Sequence, residues 1–317
     1  MRQLILIAIL VAAGYGCAKL YLHYKVGENV DNALLMLSPM ADVTYAGVSS
    51  TMGGTLSIDD IEINVHGYSG PVTIEKLSLI TPGFFHLLSL DELGPGKGGE
   101  MPESLAVGFT GLHTSVDSDL INMMYKLGQQ ALGGSEDVDV GAQCTGRNGY
   151  SPQTLRRLGY TEIVADLELG YRNEDGDIVL ESTTVVEGMY TTYLEMTVQG
   201  TFSPQALAMG QYRPRLVDAR LEYIDDSLDE RTDKLCSDSG LSAEEILNAK
   251  LETFNTFGER NGIVFDDQII DPYLEFLNGK SSFVLSANPI EPVNLSQIDL
   301  YKASDVPALL NITAVAN

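Results

Sequence analysis

Leu56-Ser57-Ile58-Asp59-Asp60-Ile61-Glu62-Ile63 alternates apolar and polar residues, stops for two acids, and then resumes. The period of two is that of a β-strand with one face buried. Unbroken alternation would carry Ile61 and Ile63 to the face opposite Leu56 and Ile58. A two-residue step that returns the apolar set to its first face is what a β-bulge does. Sixteen residues further on, Val72-Thr73-Ile74-Glu75-Lys76-Leu77-Ser78-Leu79 repeats the pattern, with Glu75-Lys76 as the interruption. Gly67-Tyr68-Ser69-Gly70-Pro71 lies between them and is rich in turn formers. The two stretches are predicted to be adjacent antiparallel strands of one curved sheet.

The same period recurs along the chain. Val43 to Val48 and Ser104 to Val116 alternate. From Thr161 to Tyr171, Ile163, Ala165, Leu167, Leu169 and Tyr171 share a face, and Asp166, Glu168 and Arg172 take the other. The turn Asn173 to Asp177 leads into Ile178 to Val186; Thr191 to Phe202 and Arg215 to Tyr223 follow, completing a four-stranded antiparallel meander.

Helical segments punctuate these strands. Glu28 to Leu37 is amphipathic. Asp117 to Leu132 has Asp117 or Ser118 as its cap, and its stripe Leu120, Met123, Met124, Leu127 reads as core. Ser151-Pro152 opens a short helix through Leu158. Ser242 to Glu245 is a capping box that starts a helix to about Arg260, and Asp267 to Leu277 forms a second helix with Pro272 inside it. Two last strands, Ser282 to Ala287 and Val293 to Leu300, flank the rigid turn Asn288 to Pro292, and Asp305 to Leu310 is helical.

The expected fold class is α+β and β-dominated: curved antiparallel sheet with a helical pair packed on one face, preceded by an N-terminal transmembrane helix. The expected division is a membrane anchor at 1–27, a β-rich lobe with helices at 28–140, and the meander plus helical pair at 141–317.

The anchor rests on Leu4 to Gly16, thirteen residues without a charge, preceded by Arg2 and followed by Lys19-Leu20-Tyr21-Leu22-His23-Tyr24-Lys25. About 20 residues are needed to span a bilayer. If Lys19 snorkels, the apolar run extends through Leu22, with Tyr21 and Tyr24 at headgroup level. An uncleaved signal anchor with Met1 in the cytoplasm is the expectation, which places the body in the periplasm of a bacterial inner-membrane, single-pass protein. Its rival is lipidation at Cys17: Gly16 suits a lipoprotein signal, whereas Gly14 and Tyr15 match it less well.

The chain has 19 basic and 44 acidic residues, net −25, and the first 27 residues hold three bases and no acid. A body so negative is repelled by phosphate backbones and anionic headgroups, which argues against nucleic-acid partners. Cys144 and Cys236 allow one disulfide in an oxidising compartment; two free thiols are the alternative. The four histidines are scattered and there is no C-x-x-C, so no zinc spacing is present.

Motifs for chemistry are missing. G-x-S-x-G and H-E-x-x-H do not occur. Gly94 to Pro102 places a lysine among glycines without the phosphate-loop spacing. Asn173 to Asp177 resembles a calcium loop superficially, but Tyr171 and Ser182 occupy positions that need acids, so it reads as a hairpin turn. The pairs Asp225-Asp226 and Asp266-Asp267 could serve hydrolysis or hold a divalent cation, but adjacent carboxylates read as a solvated strand end or a helix cap. Asn294 and Asn311 head glycosylation sequons that matter only in a eukaryotic secretory protein. No catalytic, metal or cofactor residue is assigned.

Leu155 to Arg172, Arg215 to Asp226 and Asn288 to Val293 together resemble uncharacterised proteobacterial envelope proteins of the YdgA-like type. Gly54 to Val65 is similar to strands of AsmA-like envelope proteins. The resemblance implies a membrane-anchored protein with a long curved sheet, some relatives being implicated in lipid movement; it transfers no site residue. The expected function is therefore non-enzymatic: an envelope scaffold or module that binds a protein partner. A lipid or apolar-ligand carrier and a carboxylate-based hydrolase are the alternatives.

Overall fold

The computed structural model describes residues 19, 21, 23–28, 30–31, 34–35, 37–89, 101–131, 150–200 and 213–317. The predicted anchor through residue 18, Cys17, Cys144 and the loop at 94–100 lie outside the described residues. Among those described, no helix is long and apolar enough to cross a membrane.

One antiparallel sheet dominates. Its strands are β1 (Ala41–Thr44), β2 (Gly47–Ser50), β3 (Thr55–Val65), β4 (Val72–Ile80), β5 (Ser104–Ser115) and β6 (Glu162–Glu174). β7 (Asp177–Val186), β8 (Tyr190–Gln199), β9 (Arg215–Asp225), β10 (Ser282–Ala287), β11 (Val293–Asn294) and β12 (Ile312–Ala316) complete it. The spatial order is β1-β3-β4-β5-β6-β7-β8-β9-β10-β12, with β2 also on β3 and β11 also on β9. β5 pairs directly with β6, so the ladder runs unbroken between the 28–140 and 141–317 parts of the chain.

The interrupted strands do what their pattern implies. Leu56 faces Leu79, Ile58 faces Leu77, Ile61 faces Ile74 and Ile63 faces Val72, so the apolar residues of both halves of β3 meet those of β4. Asp60 takes φ 52°, the left-handed conformation that turns the strand over between its two apolar halves. The break continues across the sheet. β1 and β2 lie end to end along β3 and are parted at Tyr45-Ala46, opposite Asp60. In β5 the break falls at Gly111, φ 61°, where any Cβ would strike the Glu75 side chain. β6 alternates without interruption, so the register slips between Phe109 and Leu112, and the Gly111 N–H donates to Asp166 Oδ1 at 2.7 Å. A crease of bulges thus crosses β3 to β5 and ends at β6, which has no interruption to match.

Helices cover parts of one face. α1 (Phe84–Ser89) sets Phe84 and Leu87 on Leu56. α2 (Asp119–Ala131) starts at Ser118, whose Oγ accepts from the Ile121 N–H. α3 (Pro152–Arg157), α4 (Leu228–Asp238) and α5 (Ala243–Arg260) enclose a core of Val116, Leu155, Leu158, Val186, Leu235 and Ile246. α6 (Asp267–Leu277) lies next, and α7 (Val306–Leu310) closes a third cluster on Leu216 and Val293. The capping box at Ser242 and Glu245 is formed in both directions. α5 and α6 are the expected helical pair. Phe254 of α5 stacks on Tyr273 of α6, and both meet Phe283 of β10 edge-on.

Three expectations need correction. Val293 to Leu300 is not one strand: β11 stops at Asn294, whose side chain accepts from the Ser296 N–H and turns the chain into a 3-10 helix, Leu295–Leu300. The methionines of α2 are not core. Met123 and Met124 are exposed, whereas Ile121 packs against the core and Leu120 is half-buried. The alternation Val43 to Val48 belongs to two strands, parted by the crease.

Candidate functional site

The apolar face becomes continuous only through strand register. A row of directly opposed residues runs Leu79, Val107, Leu169, Ser182, Leu194, Leu221 and Leu285 from β4 to β10. Beside it run Phe109, Leu167, Thr184, Thr192 and Tyr223. One end of this band lies under α1 and the other under α5 and α6. The middle has no such cover: Leu169 is 58% exposed, Leu221 40%, Leu194 39% and Leu167 36%. Strands are spaced about 4.8 Å apart, so the open stretch from β6 to β9 is about 14 Å wide. These exposed leucines, interleaved with Ser182, Thr184 and Thr192, form the candidate interaction surface.

The opposite face is polar. Glu181 stands directly opposite Glu195, a like-charge pair that opposes strand pairing. Arg172 resolves it, pairing with Glu174 at 2.6 Å, with Glu181, and with Glu195 at 3.5 Å. These hydrogen bonds, to Glu174 first and then Glu181, push the guanidinium further up from its already high range.

A second feature lies beneath the helices. A cavity of about 250 Å³ is lined by Tyr150, Tyr223, Asp229, Thr232, Lys250 and Tyr273, among others. Lys250, only 6% exposed, sets its Nζ 2.6 Å from Asp229 Oδ1 and 2.5 Å from Asp233 Oδ1. Asp229 and Asp233 are one turn apart on α4, and Lys250 reaches them from α5, so the triad ties two helices together. Burial pushes the Tyr150 phenol up to about 12. Burial also raises Tyr223 and Tyr273, with nearby carboxylates adding to it. All three therefore stay neutral hydrogen-bonding groups at physiological pH. The Tyr150 hydroxyl is bonded to Thr232 Oγ1 at 3.2 Å, and the Tyr223 hydroxyl donates to Asp225 Oδ1 at 3.3 Å. Burial raises the Asp225 carboxyl, and the hydrogen bond from the Asp229 N–H holds it back. Because the Lys250 ammonium is committed to two carboxylates, the arrangement reads as a clamp.

The residues singled out from sequence are scattered by comparison. Asp225 lines a second, neighbouring pocket with Asp229 and Asp233, whereas Asp226, Asp266 and Asp267 line neither that pocket nor the cavity. Asp266 is the cap of α6, accepting from the Gln268 N–H at 3.1 Å. Asn173 to Asp177 is a tight hairpin turn, with Asp175 at φ 51° and Gly176 at φ 94°. No group of three or more His, Cys, Asp or Glu among the described residues is placed to hold a metal. Cys236 is fully buried and disulfide-bonded. The chain's other cysteines, Cys17 and Cys144, are outside the described residues.

The Lys250 clamp and the open band escaped the sequence reading. The spacing Asp229–Asp233 at i, i+4 beside a lysine in a capped helix was the one available signal for the clamp. Comparison with protein-family models and with curated proteins gives no match.

Proposed function

We propose that the chain is a non-enzymatic, membrane-anchored protein of the bacterial cell envelope that binds a protein partner across the open band of its sheet. The observation that carries this reading is the exposure of Leu167, Leu169, Leu194 and Leu221 on the face whose flanks lie under helices. The occupant is an amphipathic segment with apolar residues on one side and basic residues around them. The chain's net charge of −25 attracts such a segment and repels anionic lipid headgroups.

The location is inferred from two features. The apolar N-terminal run with its flanking cations supports a single-pass inner-membrane anchor, with lipidation at Cys17 as the alternative. The disulfide at Cys236 supports an oxidising compartment, and hence a periplasmic body. Cys144 is the proposed partner of Cys236. Peptide mapping without reductant should find Cys236 bridged to Cys144 and Cys17 outside any bridge; a Cys17–Cys236 bridge would overturn the pairing.

A lipid or other apolar ligand is the second reading. It would fail if protein covered the strands' apolar face, and Leu167 and Leu194 are not covered. The test uses full-length protein extracted in detergent, a synthetic amphipathic Leu/Lys peptide, and the variants Leu169→Glu and Tyr193→Ser. Leu169→Glu is expected to weaken the peptide at least about tenfold with little loss of stability, and Tyr193→Ser, on the polar face, to leave it unchanged. Equal effects of the two variants would count against the band. Native mass spectrometry that finds co-purified lipid, lost in Leu169→Glu, would replace the protein partner with a lipid.

A further inference from the structure

The two edges of the sheet differ. Along one, β1 and β2 are broken at Tyr45-Ala46, carry Asp42, and lie beside the helical residues 23–26, where His23 Nε2 is 2.9 Å from Ser50 Oγ. Breaks, charges and covering helices are how proteins blunt an edge against further pairing. β12 has neither break nor charge, and α6 packs on one of its faces. Its sequence, Ile312-Thr313-Ala314-Val315-Ala316, contains no charge, no proline and no bulge.

The register shows which of its backbone groups are free. Asn317 and Ser282 exchange both hydrogen bonds, N–H to C=O in each direction. Antiparallel ladders alternate, so Val315 and Thr313 also point toward β10, whereas Ile312, Ala314 and Ala316 direct their N–H and C=O groups away from the sheet. None of these three makes an outward hydrogen bond to a described residue. Val315 is 52% exposed. Small Ala314 and Ala316 face the helical side, where α6 packs along the strand. α6 carries Asp267, Asp271 and Glu275 at i, i+4 and i+8, all exposed, with no base in the helix. Like charges at that spacing weaken a helix, and an approaching cationic segment would relieve them.

We propose that β12 is a docking edge that receives an extended, basic segment of a partner protein as one more strand. Main-chain hydrogen bonds to Ile312, Ala314 and Ala316 would supply affinity, and alternate basic residues would meet the α6 carboxylates. A second copy of this chain is disfavoured as the occupant because each copy carries net charge −25. The inference goes beyond the proposed function, since it concerns the edge of the sheet and not its face.

The test uses full-length protein and two synthetic peptides, one alternating lysine with valine and one alternating glutamate with valine. Ala314→Pro removes an outward N–H and leaves the ladder to β10 intact, since proline is tolerated on an edge strand where the N–H faces solvent. The Lys/Val peptide is expected to bind and to slow hydrogen exchange at the Ile312, Ala314 and Ala316 amides. Ala314→Pro should abolish that protection and weaken the peptide at least about tenfold, whereas in Leu169→Glu the β12 amides should stay protected. Val315→Lys keeps every backbone group and adds a repelling charge, so it should weaken the Lys/Val peptide even if the proline variant fails to fold. Unchanged binding in Val315→Lys, or in a folded Ala314→Pro, would overturn the proposal. So would equal affinity for the Glu/Val peptide, or a wild-type dimer that Ala314→Pro dissociates.

Discussion

Replacing Lys250 by methionine is expected to lower the unfolding free energy by about 3 kcal/mol. Methionine keeps most of the buried stem, so the loss comes from charge and not from volume. Lys250 is almost wholly buried, and its Nζ lies within 2.6 Å of both Asp229 and Asp233. Without the ammonium these two carboxylates face each other one turn apart on α4, with Asp225 accepting from the Asp229 N–H. Removing one member of a buried ionic group costs about 3–5 kcal/mol, and the partial exposure of Asp233 places this case at the lower end. Neutralising all three together, Lys250→Met with Asp229→Asn and Asp233→Asn, should recover most of the loss. Urea unfolding of the single and triple variants measures both. A single variant as stable as wild type would mean that the clamp does not hold α4 to α5.

Ile269→Ala should cost about 3–4 kcal/mol, within the range for deleting a fully buried branched side chain. Ile269 is 0% exposed and lies on α6, next to the turn of chain that carries Tyr273. The cavity it leaves would loosen α6 on β10 and β12. The aromatic group of Phe254, Tyr273 and Phe283 would then lose its stacked and edge-on contacts. A near-ultraviolet circular dichroism change from the tyrosines, together with the lower urea midpoint, is the expected result. A loss under 1 kcal/mol would show that α6 can collapse onto the gap.

Local chemistry made much of the fold legible. The acid pair at Asp59-Asp60 and its echo at Glu75-Lys76 announced the bulged strands, because an even period cannot pass a two-residue step without one. The capping box at Ser242 and the turn at Asp175-Gly176 placed α5 and the β6–β7 hairpin for the same reason. What escaped depended on distant partners. β12 follows α7 after a single residue, Asn311 at φ 46°, and its five residues are too few for a period. α4, LDERTDKLCSD, buries Leu228, Thr232, Leu235 and Cys236 among seven polar or charged neighbours, an apolar stripe too sparse to stand out as a period. The register slip at Gly111 answers to β6, whose pattern alone shows no break.

The candidate site was less legible still. Leu167, Leu169 and Leu194 read from sequence as members of an apolar strand face, with its cover left open. Their exposure is a matter of where helices end. α1 and the α5–α6 pair cover the two flanks, and α3 and α4 cover Ile163, Ala165 and Val186 at one end of the middle strands, but Leu167, Leu169 and Leu194 stay exposed beyond them. An amphipathic strand states which face is apolar; it does not state whether anything in the same chain lies against it.

That uncovered face is the centre of the account. A photo-crosslinking amino acid placed at Leu169 in the full-length protein, in intact cells, interrogates it directly, with the same residue at Tyr193 on the polar face as the reference. The account predicts a discrete protein adduct from Leu169 that is absent from Tyr193 and abolished when Leu194 is changed to glutamate. The same adducts from both faces, or none from Leu169, would contradict it.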